Sequence, residues 1–92
     1  MADQNNIDTA RQALVLRLRR VEGQVRAVAG MIETGTDCEP IAQQLSAARK
    51  ALDRAFYELM ACAIQHPQFS ANRRERQEDR VQRIARALAK LA

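Results

Sequence analysis

The chain has no tryptophan, one tyrosine and two phenylalanines in 92 residues. Its core must therefore be aliphatic, drawn from Leu, Ile, Val and Ala, a composition that suits packed helices. No apolar run approaches the ~20 residues of a membrane span. The N-terminus is polar (Asp3, Gln4, Asn5, Asn6) and carries no leader-like apolar segment, so the expected location is the cytoplasm, with no membrane partner. Two cysteines in that compartment read as reduced thiols or ligands rather than a structural disulfide. A single histidine, no glycine-rich phosphate loop and no Ser-His-Asp constellation leave nothing from which to build a catalytic centre; the sequence does not read as an enzyme. Strand alternation, repeats and low-complexity stretches are also missing.

What the chain does have is positive charge, unevenly placed. The formal net charge is +4. Residues 9–30 carry Arg11, Arg17, Arg19, Arg20 and Arg26 against Glu22, and residues 71–92 are again mostly basic. Two basic ends around a mildly acidic middle point to a polyanionic partner. The alternative is a solvated helix surface with local pairs such as Glu22–Arg26, a reading that fits residues 73–90 best because the charges there alternate in sign.

The apolar residues recur with helical spacing. Leu14, Leu18, Val21, Val25, Val28 and Ile32 follow one another at steps of three and four, predicting a long amphipathic helix capped by Asp8 or Thr9 and ended by Gly35. Ile41, Leu45, Ala48, Leu52, Ala55, Leu59 and Ala63 predict a second. Thr36 with Glu39 forms a capping box, or Asp37 caps with Pro40 in the first turn; Pro67 ends the helix. A third, from about Arg74 to Leu91, has Val81, Ile84, Leu88 and Leu91 as its apolar edge. Residues 1–92 are expected to be one domain, with 1–8 flexible, and so small a chain gains burial by self-association. Two long helices and a short one do not make a helix-turn-helix, so DNA contact would use a broad basic face.

Cys38 falls in the first turn of the second helix, where unpaired N–H groups and the positive end of the dipole favour thiolate, the nucleophilic and metal-binding form. Its structural alternative is a small buried hydrophobe. Cys62 lies 24 residues further along, about 36 Å at 1.5 Å per residue, so the two cannot meet in one protomer. They could meet where one second helix pairs antiparallel with a copy of itself. His66, one turn beyond Cys62, could join a composite Cys38, Cys62, His66 cluster spanning two chains. Cys62 also reads as a structural cysteine at the edge of the apolar stripe, and His66 as a residue facing the helix dipole.

The run Arg17-Leu-Arg-Arg-Val-Glu-Gly-Gln-Val, the Asp37-Cys38 helix start, and Gln44-Leu-Ser-Ala-Ala-Arg49 with Leu52-Asp-Arg54 closely resemble the CsoR/RcnR family of small bacterial repressors. The resemblance runs from about residue 12 to 66. It implies an all-α, three-helix protomer whose two long helices form an antiparallel dimer, two dimers making a flat tetramer that binds double-stranded operator DNA and releases it on sensing an inducer. Cys38 matches the family's sensing cysteine, and Arg17 and Arg54 match its DNA-binding basic positions; Arg19, Arg20 and Arg49 extend the expected DNA face. The copper-type pattern has a histidine 25 residues after the cysteine and a cysteine four further on, where this chain has Ala63 and Pro67. Cys62 and His66 each stand one residue earlier, about 100° around a helix, and do not simply inherit those roles. The nickel/cobalt pattern has His at both places and another near the N-terminus, the formaldehyde pattern has a proline where Ala2 stands, and the persulfide pattern has a cysteine where Pro67 stands. The expected function is a DNA-binding repressor controlled at Cys38 by a soft metal ion, Cu(I) or Zn(II), or by a thiol-reactive species such as a persulfide or aldehyde. The competing class is a helical protein–protein interaction module without DNA.

Overall fold

The computed structural model describes residues 2–69, 72 and 74–92. Three α-helices, α1 (Ala2–Glu33), α2 (Cys38–Gln65) and α3 (Gln77–Leu91), are joined by a tight turn and by a 3-10 turn at Pro67–Phe69. No strand occurs among the described residues. The chain is long and flat, with principal extents of 52 × 30 × 16 Å.

The first helix begins earlier than its expected caps. Asp8 and Thr9 are interior residues of α1, because the helix continues back to Ala2 and buries Ile7 completely. Met1 lies outside the described residues. At the other end the expected stop is in place. Gly35 adopts φ +77°, its N–H donates to Ile32 O at 3.2 Å, and Thr36 N–H donates to Met31 O at 3.0 Å. This is a Schellman closure, and the left-handed backbone it needs is nearly free only for glycine. It reverses the chain into α2.

Asp37 occupies the N-cap position of α2 without a side-chain hydrogen bond, so neither expected cap is formed. Cys38 is thereby the first helical residue. At the far end His66 leaves the helix with φ −124° and ψ 107°, the extended geometry imposed on the residue before Pro67. The expected start of α3 shifts from Arg74 to Gln77, because Asn72 organises the preceding turn: its side-chain oxygen accepts from Arg74 N–H, and its carbonyl from Glu75 N–H, each at 3.2 Å. Of the expected apolar edge of α3, Ile84 is buried, Val81 and Leu88 half-buried, and Leu91 exposed.

The helices α1 and α2 pack as an antiparallel hairpin, as the cross-links Arg11–Gln68 and Arg17–Glu58 require. The buried apolar residues of α1 are Ile7, Leu14, Val21 and Val28, one every seventh position and none more than 8% exposed. On α2 the same repeat gives Ile41, Ala48, Ala55 and Cys62, with the two alanines buried and the ends half-buried. Small residues on one helix facing branched ones on the other allow close approach of the two axes.

Candidate nucleic-acid interface and thiol positions

The repeat that fills the hairpin leaves a second seam uncovered. Leu18, Val25 and Ile32 on α1, and Leu45, Leu52 and Leu59 on α2, also recur every seven residues, yet they are 38–61% exposed. Val25, Ala42, Leu45 and Leu52 line one groove of about 480 Å³ running between the helices. A continuous exposed apolar stripe of this kind is uncommon on a protein that acts alone.

The five arginines expected to meet DNA lie on the hairpin, but they are not equivalent. Arg20, Arg49 and Arg54 are exposed and form no ion pair among the described residues. Arg19 pairs weakly with Glu22 at 3.4 Å, replacing the expected Glu22–Arg26 contact. Arg17 is half-buried, and its Nε donates to Glu58 Oε2 at 2.9 Å. Nothing in the sequence pattern pointed to Glu58, since a residue 41 positions away becomes a neighbour only when the hairpin closes.

Within α3 and just before it, two arginines are paired locally. Arg83 makes a two-pronged contact with Glu75, Nε to Oε2 at 3.0 Å and Nη2 to Oε1 at 2.9 Å; this hydrogen-bonded carboxylate holds the guanidinium pKa above its usual value. Arg76 pairs with Asp79 at 3.2 Å. Arg73 lies outside the described residues. The alternating charges of α3 thus follow the solvated-surface reading at these pairs.

Arg80 is the exception. Although read from sequence as one more surface cation, it is 5% exposed. Its Nε donates to Ala63 O at 3.3 Å and its Nη2 to Ile64 O at 3.2 Å. A helix end leaves carbonyls without partners; His66 N–H satisfies Cys62 O at 2.8 Å, and Arg80 satisfies the next two. The cation also lies at the negative end of the α2 dipole. It fastens α3 to the end of α2 that carries Cys62 and His66. A similar tie joins α1 to the 3-10 turn: Arg11 Nη2 donates to Gln68 O at 2.8 Å, and its guanidinium stacks 5.2 Å from the Phe69 ring centre.

The two thiols differ in surroundings. Cys38 is exposed at the start of α2, whereas Cys62 is half-buried in the repeat shared with Ala48 and Ala55. His66 is half-buried at the helix cap, off the regular helical face. The thiols stand at opposite ends of α2. Among the described residues no group of three or more His, Cys, Asp or Glu side chains within the protomer could hold a metal ion. Cys38 stands at the opposite end of α2 from Cys62 and His66, so these donors could meet only across two chains.

A basic antiparallel hairpin, an exposed thiol at its turn and an uncovered apolar stripe define a small all-helical protein. Residues 10–90 match the family of metal-sensitive transcriptional repressors, and the chain belongs to that family. It is similar to the copper-sensing transcriptional repressor RicR of Mycobacterium tuberculosis, with 44% identity over 50 residues, 54% of this chain and 52% of the relative. The match thus spans about half the length of that relative. No solved structure matches significantly. Among the described residues no helix is long and apolar enough to cross a membrane.

Proposed function

We propose that the protein is a transcriptional repressor that binds operator DNA as a self-associated helical assembly and releases it when Cys38 meets a soft metal ion or a thiol-reactive species. The observation that carries this reading is the set of exposed arginines on the hairpin. Arg20, Arg26, Arg49 and Arg54 of the hairpin face solvent without a carboxylate partner among the described residues, whereas around α3 Arg76 and Arg83 are paired and Arg80 is buried. Unpaired, exposed guanidinium groups on a rigid scaffold suit phosphate oxygens, and the counterions they release on binding make affinity steeply salt-dependent.

The uncovered seam supports self-association. Two hairpins laid seam to seam would form a four-helix bundle whose second seam repeats every seven residues on each helix. If the α2 helices pair antiparallel, Cys38 of one chain approaches the Cys62 and His66 end of the other, and a two-chain sensing site becomes possible. Pairs of such dimers would give the flat tetramer.

Duplex DNA selected from a random library tests the reading. Binding should weaken steeply with salt, and Arg17→Ala or Arg54→Ala should each cost about tenfold in affinity with helicity unchanged. Salt-independent binding, or none, would favour the protein–protein module. Cys38→Ser should still bind DNA but no longer release it on exposure to Cu(I), Zn(II), a persulfide or formaldehyde; release by the variant as by wild type moves sensing elsewhere. A short bifunctional thiol reagent should join two chains through Cys38 and Cys62. A crosslink between those thiols within one folded chain would contradict the helix that separates them.

A further inference from the structure

We propose that Glu58 is a positioning residue for DNA binding: it anchors the Arg17 guanidinium by its Nε so that the outer nitrogens are held ready for a phosphate. The inference rests on the reading of Arg17 as a DNA contact and deepens it.

Arginine has a long side chain whose rotamer freedom is lost on binding, so an arginine fixed before DNA arrives binds with less entropic loss. Arg17 emerges from the inner face of α1 and is half-buried. Across the hairpin, Glu58 Oε2 accepts its Nε–H at 2.9 Å, the two side chains being 30% and 39% exposed. No hydrogen bond from Nη1 or Nη2 occurs among the described residues. The guanidinium is therefore held at its inner edge, with outer N–H groups free to grip phosphate oxygens.

The opposite role, a carboxylate that masks the arginine, has a different geometry, and this molecule contains an example of it. Glu75 takes Arg83 by both Nε and Nη2, occupying one whole edge of the fork. Glu58 takes a single N–H. The difference separates an anchor from a mask. Arg20, Arg49 and Arg54 have no such anchor, and Arg19 has only an exposed 3.4 Å contact with Glu22 on its own helix, which leaves Arg17 as the member fixed across the hairpin.

Fluorescence anisotropy on one selected duplex, at fixed salt, tests this with wild type, R17A, E58A, E58Q and R17A/E58A, circular dichroism establishing equal helicity. E58A should weaken binding about fivefold, within the range of coupled neighbours. E58Q should bind within about twofold of wild type, because its amide oxygen accepts the same N–H. Adding E58A to R17A should cost nothing further. Wild-type or tighter affinity of E58A would overturn the proposal in favour of a mask or no role. An equal loss from E58A in the R17A background would overturn it in favour of a purely structural pair. An R17A protein that binds as well as wild type would remove the DNA-contact reading, and the inference with it.

Discussion

The two apolar seams of the hairpin repeat at the same spacing, yet one is covered and the other is not. The inner seam places Ile7, Leu14, Val21 and Val28 along α1, with Ala48 and Ala55 buried on α2. The outer seam sets Leu18, Val25 and Ile32 beside Leu45, Leu52 and Leu59, and it remains largely exposed. The decisive difference is size on α2: alanines let the helices approach, whereas leucines one turn away are left to protrude. A hairpin can close over only one face of each helix. The remaining leucines are surplus to the protomer and available to another chain.

Four substitutions would break or sharpen that contrast. Leu52→Asp, in the outer seam, should give the largest effect: a buried unpaired carboxylate on each side costs several kcal/mol of association. Light scattering at micromolar concentration should then read the mass of one chain with helicity retained; an unchanged mass would move the interface off this seam. Leu14→Ala, in the inner seam, should lower unfolding free energy by about 2–4 kcal/mol through the cavity it leaves. Urea melts at fixed protein concentration check this, and the oligomeric mass under native conditions should not move. Ala55→Leu would force the helices apart and should cost about 1–3 kcal/mol; a neutral melt would mean that the close approach at this alanine is not needed. Gly35→Ala should cost about 1 kcal/mol, since a Cβ there meets no atom within 4 Å and the penalty comes from the φ of +77° alone. A melting temperature unchanged by this substitution would show that the turn does not help fix the pairing of the seams.

Some of this is legible in the sequence alone. The step of three and four residues fixes which side chains can share a helical face, so both long helices, the break at Gly35 and the stop before Pro67 followed from local chemistry. So did the placing of Cys38 at a helix start, because Asp37 and Pro40 disfavour an earlier or later one. The helix start at Asp8 failed for a physical reason: capping preferences mark where a helix can begin, and packing, here the burial of Ile7, extends it further. Similarly, the turn held by Asn72 moved the start of α3, since a side chain that bonds its own backbone competes with the helix.

The sequence by itself determined the helices, the excess of positive charge and the two apolar repeats, because each depends on neighbours along one helix or on a simple sum. Only the tertiary structure decided which repeat is buried, that Glu58 would hold Arg17, and that Arg80, one arginine among fifteen basic residues, would sink into the end of α2. Those outcomes depend on residues brought together across the hairpin or between helices, and periodicity along a chain contains no term for which faces meet. The same logic separates the thiols: spacing sets Cys38 and Cys62 at opposite ends of one rigid rod, while packing makes one exposed and the other half-buried.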